Sequence, residues 1–380
     1  MMKNTTRRTL FVSLITALFH PFNFANAAAP IDCPLRDQPY SVDSPLMDIL
    51  LNPRARAAVD SVNPGLLDKL PPTFISTTAP SFSAIMSMRR FAPMRKMPES
   101  DLSAIDTALA KVLPTEDEKN VRCARYDNDD PKIEPPKGKP RLLLFEKING
   151  FRDGPSVEAS RAMFVAMAAR NEWSLTVTDK GGAINPNTLK KFDAVIWNNN
   201  SGDVLTLTQR KALQDYLAKG GGFVGIHGAA GDPVYFWEWY ADTLIGARFI
   251  GHPMNPQFQE AKVNIHQTPS AIGKDLAPGW SWNEEWYSFK NNPRATGSHI
   301  IATLDESTYT PVGFGNQDLR MGDHPIVWTR CVNNGRMFYS AIGHRPESYT
   351  ESHHIKLIEE AVVWASGLGK SHCVDGQELN

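Results

Sequence analysis

A four-residue apolar run, Phe223-Val224-Gly225-Ile226, is enclosed by Gly220-Gly221-Gly222 on one side and by His227-Gly228-Ala229-Ala230-Gly231 on the other. Its length and its glycine brackets read as a buried parallel strand between tight turns. Such a strand delivers His227 to its carboxyl end, and the small residues beyond let a helix start close to the sheet. The pattern is that of a nucleophile elbow, where one side chain stands at the top of an α/β sheet beside free backbone N–H groups. Here the elbow carries an imidazole in place of Ser or Cys.

The surrounding pattern agrees with a layered α/β fold. From Arg141 onward, apolar runs at 142–145, 173–178, 192–197 and 223–226 alternate with helical patterns at 157–170 and 206–219. This alternation predicts a parallel sheet with helices on both faces. Further strand candidates fall at 261–265, 300–304, 326–329 and 336–340, and a helix over 352–365 closes the domain. The stretch 251–298, which holds Trp280, Trp282, Trp286 and Tyr287, is expected as an insertion over the carboxyl edge of the sheet, where open sheets of this kind bind ligands.

Ahead of this region the chain changes character. Residues 1–27 read as an export signal, with Arg7 and Arg8 as the charged segment, a short apolar run over 10–19 and Ala25-Asn26-Ala27 as the cleavage site. The run is too short to span a bilayer, so no stable membrane insertion is expected after cleavage. Thr6-Arg7-Arg8-Thr9-Leu10-Phe11 fits a twin-arginine signal or a Sec signal that holds two arginines, and either route ends in the periplasm or outside the cell. Residues 28–126 are expected to form a small, mainly helical region with helices over 44–59 and 100–112. Residues 127–140, rich in Asp, Pro and Lys, read as a linker, 141–367 as the main domain and 368–380 as a C-terminal tail. Four cysteines in an oxidising compartment, none at metal-ligand spacing, are expected to pair locally as Cys33–Cys123 and Cys331–Cys373. A formal net charge of −1 carries no polyelectrolyte signature, so no nucleic-acid partner is expected.

Four histidines fall at strand ends or in Gly/Pro turns: His227, His252, His324 and His344. For His252 and His324, each followed by proline, fixing a turn through a backbone carbonyl is the commoner role. His227 and His344 each follow a strand beside a glycine and read as functional, with Glu284 and Glu285 as nearby carboxylates. His227, Glu285 and His344 are the candidates for general acid–base work, and His227, His252 and His344 for holding a divalent metal such as zinc. Trp286 and Tyr287 are candidate sugar-stacking faces, while the aromatic residues from Tyr235 to Tyr240 read mainly as core. His353 and His354, at the start of the last helix, read as solvated. Neither a phosphate loop nor a Gly-x-Ser-x-Gly elbow occurs, which leaves serine or cysteine acyl transfer without a nucleophile.

Several motifs, in order along the chain, carry a family resemblance. They are 220–227, Gly246-Ala247-Arg248-Phe249-Ile250-Gly251-His252-Pro253, Glu284-Glu285-Trp286-Tyr287, Leu304-Asp305-Glu306-Ser307-Thr308-Tyr309, His324-Pro325-Ile326-Val327-Trp328, and Gly335-Arg336 leading to Gly343-His344. Over about 141–367 the chain resembles the ThuA-like, or trehalose-utilisation, family. The resemblance implies a flavodoxin-like fold similar to class I glutamine amidotransferases, in which the elbow residue is cysteine. With His227 there instead, glutaminase chemistry is not expected. The family usually has Phe-Arg-His after the first strand, whereas this chain has Phe151-Arg152-Asp153, so Asp153 becomes a substrate-binding candidate in place of a histidine. The implied partner is a small carbohydrate, a glycoside or keto-sugar processed by acid–base or metal-assisted chemistry. The alternative is a non-catalytic carbohydrate-binding or scaffold protein with a retained pocket.

Overall fold

The computed structural model describes residue 1 and residues 30–369 and 371–379; the expected export signal, Met1 apart, lies outside the described residues. The N-terminal region is helical: α1 (Leu46–Leu51), α2 (Pro53–Val62), α3 (Met88–Phe91), α4 (Glu99–Leu109) and α5 (Glu116–Cys123). The single helix expected over 44–59 is two. Pro53 has no N–H to continue α1, and Asn52 instead caps α2 by accepting the Ala55 N–H. Leu102, Ile105 and Leu109, at helical spacing on α4, join Ala55 and Val59 of α2 in a small core of their own. Cys33–Cys123 ties the start of this region to the end of α5.

Residues 127–140 form no regular element, but they are not a free linker. The Asp127 carboxylate accepts the N–H groups of Gly181 and Gly182, and Ser174 Oγ donates to the Pro136 carbonyl. The segment is a strap bonded to the edge of the main sheet.

The second region contributes β1 (Arg141–Phe145), α6 (Gly154–Arg170), β2 (Ser174–Thr178), α7 (Pro186–Leu189), β3 (Ala194–Asn198), α8 (Leu207–Ala218) and β4 (Gly222–Ile226). Then follow β5 (Phe249–Gly251), β6 (Gln259–Ile265), β7 (Gly279–Glu284), β8 (Ser288–Phe289), β9 (His299–Asp305), β10 (His324–Val332), β11 (Gly335–Ser340) and α9 (Ser352–Ala365). A hairpin of β12 (His372–Val374) and β13 (Gln377–Leu379) occupies the expected tail, and Cys331–Cys373 fastens it to β10. Nine strands form one sheet in the order β2-β1-β3-β4-β11-β10-β9-β6-β7.

The sheet is mixed rather than wholly parallel. β2, β1, β3, β4 and β11 run parallel, and their core strands are apolar runs buried on both faces, as parallel strands require. From β11 the sheet continues antiparallel through β10, β9, β6 and β7: the two-residue turn Asn333-Asn334 reverses the chain between β10 and β11, and longer loops join the other strands. The stretch 251–298 therefore supplies two strands to the sheet besides lying over its edge.

The chain steps one way from β1 to β2 and the other way from β3 to β4. With right-handed crossovers this puts α6 and α8 on opposite faces. The reversal leaves a crevice outside the carboxyl ends of β1 and β3, with β4 and β11 beside it. The glycine that opens the elbow strand has a packing reason: a Cβ on Gly222 would stand 2.2 Å from the Ala365 carbonyl oxygen, so α9 presses directly on β4. No described helix is long and apolar enough to cross a membrane.

Candidate active site

β4 ends at Ile226, and His227 takes a left-handed backbone with φ of 41°. This is an uncommon conformation for a residue with a Cβ, and it turns the chain sharply off the strand. The neighbouring β3 does the same one residue past its end, at Asn199, with φ of 54°. A short 3-10 turn, His227–Ala230, follows β4 in the place of the expected helix.

His227 Nδ1 lies 2.7 Å from the Ala341 carbonyl oxygen. A carbonyl can only accept, so Nδ1 carries the hydrogen and Nε2 keeps a lone pair. That Nε2 faces His344 Nδ1 at 3.3 Å and Glu285 Oε2 at 3.4 Å, while His344 Nδ1 and Glu285 Oε2 are 3.0 Å apart. The three atoms come from the end of β4, the link after β7 and the link after β11. In a tetrahedron with bonds of about 2.0–2.1 Å, neighbouring ligand atoms stand roughly 3.3–3.4 Å apart. The donor triangle has that size, and the two-nitrogen, one-oxygen set suits a zinc-like divalent ion.

The charges are set by partners. Burial alone would raise the Glu285 carboxyl, but the imidazoles of His227, His344 and His252 gathered around it outweigh that and hold the group well below the usual carboxylate range. Burial would lower His344, but its bond to Glu285 outweighs that and raises it. Glu284, the adjacent carboxylate, is pushed up by its burial. Its oxygens accept the N–H groups of Glu285 at 2.8 Å, Gly343 at 3.1 Å and Arg345 at 3.2 Å, as well as the Ser348 hydroxyl. Glu284 thus clamps the turn that presents His344. The tandem Glu284-Glu285 motif held this second role, which the sequence reading left unassigned.

Other candidates fall differently. His252 does not belong to the metal-sized cluster: its Nδ1 lies 2.9 Å from the Pro253 carbonyl, the turn-fixing role, and 3.3 Å from Glu285 Oε1 on the oxygen away from the triad. Asp153 stands at the mouth, with Oδ2 3.8 Å from His344 Nε2. Trp286 is not a sugar platform. It is buried to 1% exposure and donates its indole N–H to the Gln259 carbonyl. Tyr287 is also buried, its ring 4.2 Å from that of His227, so it backs the imidazole rather than offering an open face. His324 is a core residue, bonded to Glu306 at 2.7 Å and to the Tyr287 carbonyl at 2.8 Å. His354 is not solvated but buried against Ser340 and the Ser348 carbonyl, and burial lowers it to about 4.

The triad opens into a cavity of about 610 Å3. Its walls include Asp153, Asn199 and Ser201 from the sheet ends and, from the N-terminal region, Phe82, Ile85 and Met94. Beneath Ser201, Asp232 accepts the Ser201 hydroxyl at 2.6 Å and the Gly202 N–H at 2.7 Å, and burial raises it to about 7.

Residues 141–365 match the ThuA family, described by trehalose utilisation. Among solved structures, a ThuA-like protein from Bacteroides uniformis is 24% identical, with 63% of this chain and 96% of that one covered, at a TM-score of 0.52. A second ThuA-like protein, from Parabacteroides merdae, is 16% identical over 60% of this chain and 89% of that one, at a TM-score of 0.44. The first shares the fold described above. No curated protein matches the chain.

Proposed function

Because the chain belongs to the ThuA, or trehalose-utilisation, family, we propose that it is an exported protein that processes a glycoside or keto-sugar with His227, Glu285 and His344. The family supports a carbohydrate-related role, and the two disulfides are compatible with export. The observation that carries the chemistry is the triangle of donor atoms with edges of 3.0–3.4 Å at the floor of the cavity.

A divalent ion such as zinc, held by His227 Nε2, His344 Nδ1 and Glu285 Oε2, would polarise a carbonyl or activate water there. The chain's own groups serve that chemistry and plain acid–base chemistry alike. The Ala341 carbonyl keeps the His227 Nε2 lone pair pointed at the reacting end, so that nitrogen can take a proton or bind a cation. Glu285 stays ionised and balances the positive charge that either event creates. The Gly228 N–H meets Asn199 Oδ1 only at 3.5 Å, which leaves it available to a developing oxyanion.

The test is metal content of the purified protein together with turnover of trehalose and its 3-keto derivative, wild type against His227→Ala. Metal-dependent turnover lost in the variant is the expected result. A metal-free protein inert to both sugars would overturn the enzyme reading and leave a carbohydrate-binding protein.

A further inference from the structure

The cavity has two unlike ends. One holds the ionisable triad; the other is a wall from the N-terminal region, which lies outside the matched family span of 141–365. Aromatic rings run continuously between them. Phe91 meets Phe74 at 5.8 Å between centroids, Phe74 meets Phe82 at 5.8 Å, Phe82 stacks on Phe151 at 4.9 Å, and Phe151 lies parallel to His344 at 6.2 Å.

Apolar side chains are also left uncovered along this path. Met94, Phe151 and Met254 are each 39% exposed and Phe314 is 65% exposed, and all four line this one cavity. Apolar surface gathered in one concave place marks a binding site. The wall is held in position: the Ser81 N–H donates to the Asn149 carbonyl at 3.0 Å, and Ile85 packs so closely on Gly150 that a Cβ there would meet its Cγ2 at 2.5 Å.

We infer that the N-terminal region recognises the non-sugar half of the substrate, and that the substrate is a glycoside carrying a flat, apolar aglycone. This inference rests on the sugar-processing reading above. A second sugar could lay one C–H face on an aromatic ring, but it carries hydroxyls around its whole edge, and burying that edge along a row of phenylalanines would strip them of water without giving them partners. An amphipathic glycoside satisfies both ends: the sugar lies at His227, Glu285 and His344, and the aglycone rings lie along Phe151, Phe82 and Phe74.

The test is calorimetric binding of 2-naphthyl β-glucoside, methyl β-glucoside, trehalose and 2-naphthol to the full mature chain. The naphthyl glucoside is expected to bind about tenfold or more tighter than the methyl glucoside. Phe82→Ala and, separately, Met94→Ser should each erase most of that advantage. Met94 belongs to the N-terminal wall and is exposed, so its variant tests the wall even where Phe82→Ala disturbs folding. Equal binding of the two glucosides, tighter binding of trehalose, or no binding of either naphthyl compound would overturn the inference. Naphthol binding as tightly as its glucoside, and weakened by Met94→Ser, would support the wall while counting against the sugar-processing reading.

Discussion

His227 and Ala341 are joined by a 2.7 Å hydrogen bond from the imidazole Nδ1 to a backbone carbonyl. No side-chain change at Ala341 can remove that acceptor, so the tautomer of His227 is built into the link after β11. The ring's other nitrogen is thereby reserved for a cation or a proton. We predict that His227→Ala lowers zinc affinity roughly 100-fold or more, since loss of a mere supporting group costs tens-fold. A metal titration of a variant with an unchanged near-ultraviolet spectrum checks this, and unaltered affinity would exclude His227 as a ligand.

Glu284 should matter for stability as well as for the site. Glu284→Ala strands the buried N–H groups of Gly343 and Arg345 and the Ser348 hydroxyl. Urea unfolding should show a loss of about 3 kcal/mol, and zinc affinity should fall roughly 10–100-fold as the His344 turn loosens. A variant as stable as wild type, with normal metal binding, would show that the clamp is not needed.

Asp232 and His354 should tilt the pH dependence of stability in opposite senses. Asp232 is raised from 3.8 to about 7, so its contribution is present below pH 3.8 and is lost as pH rises through about 7. His354 is lowered from 6.5 to about 4, so its contribution is present above pH 6.5 and is lost as pH falls through about 4. Removing the carboxyl with Asp232→Asn should expose the histidine slope. Relative to wild type, the variant gains stability as pH rises from 4 to 7, by at most about 1.4 kcal/mol per pH unit. Unfolding curves across that range decide it; a constant difference between the two proteins would contradict the assignment.

The disulfides close loops of different length, 42 residues for Cys331–Cys373 and 90 for Cys33–Cys123. Loop entropy gives about 4 kcal/mol for the first and somewhat more for the second. Replacing Cys33 and Cys123 by serine should therefore lower stability by about 4–5 kcal/mol. It should also weaken the aromatic wall, because the bond closes the region that carries Phe74 and Phe82. Unfolding with and without reductant measures the first effect, and naphthyl glucoside binding measures the second.

The parallel half of the sheet and its elbow were legible because both are local. Runs such as Leu142 to Phe145 are buried on both faces and so are apolar without interruption, and a glycine beside a strand end marks a turn. The break at Pro53 was equally local, and reading 44–59 as one helix overlooked it. Direction in the other half was not legible, since β10 and β9 read the same whether their neighbours run up or down. Trp286 and Phe82 show the remaining difficulty. One aromatic next to the site is sealed by a carbonyl of β6, and another, far away in sequence, lines the cavity because Ile85 fits against Gly150. His354 shares the inward face of α9 with Leu357, Ile358 and Ala361, a helical spacing that would have placed it inside.

His227 and His344 stand 117 residues apart in the chain, yet they meet because β4 and β11 are neighbours in the sheet. During synthesis the elbow strand emerges long before the strand that completes the site. A chain cut short ahead of β11 would carry His227 with neither the Ala341 acceptor nor its second imidazole. The cluster of His227, Glu285 and His344 thus comes into being only when the polypeptide is nearly finished, and truncated products lack it by the order in which they are made.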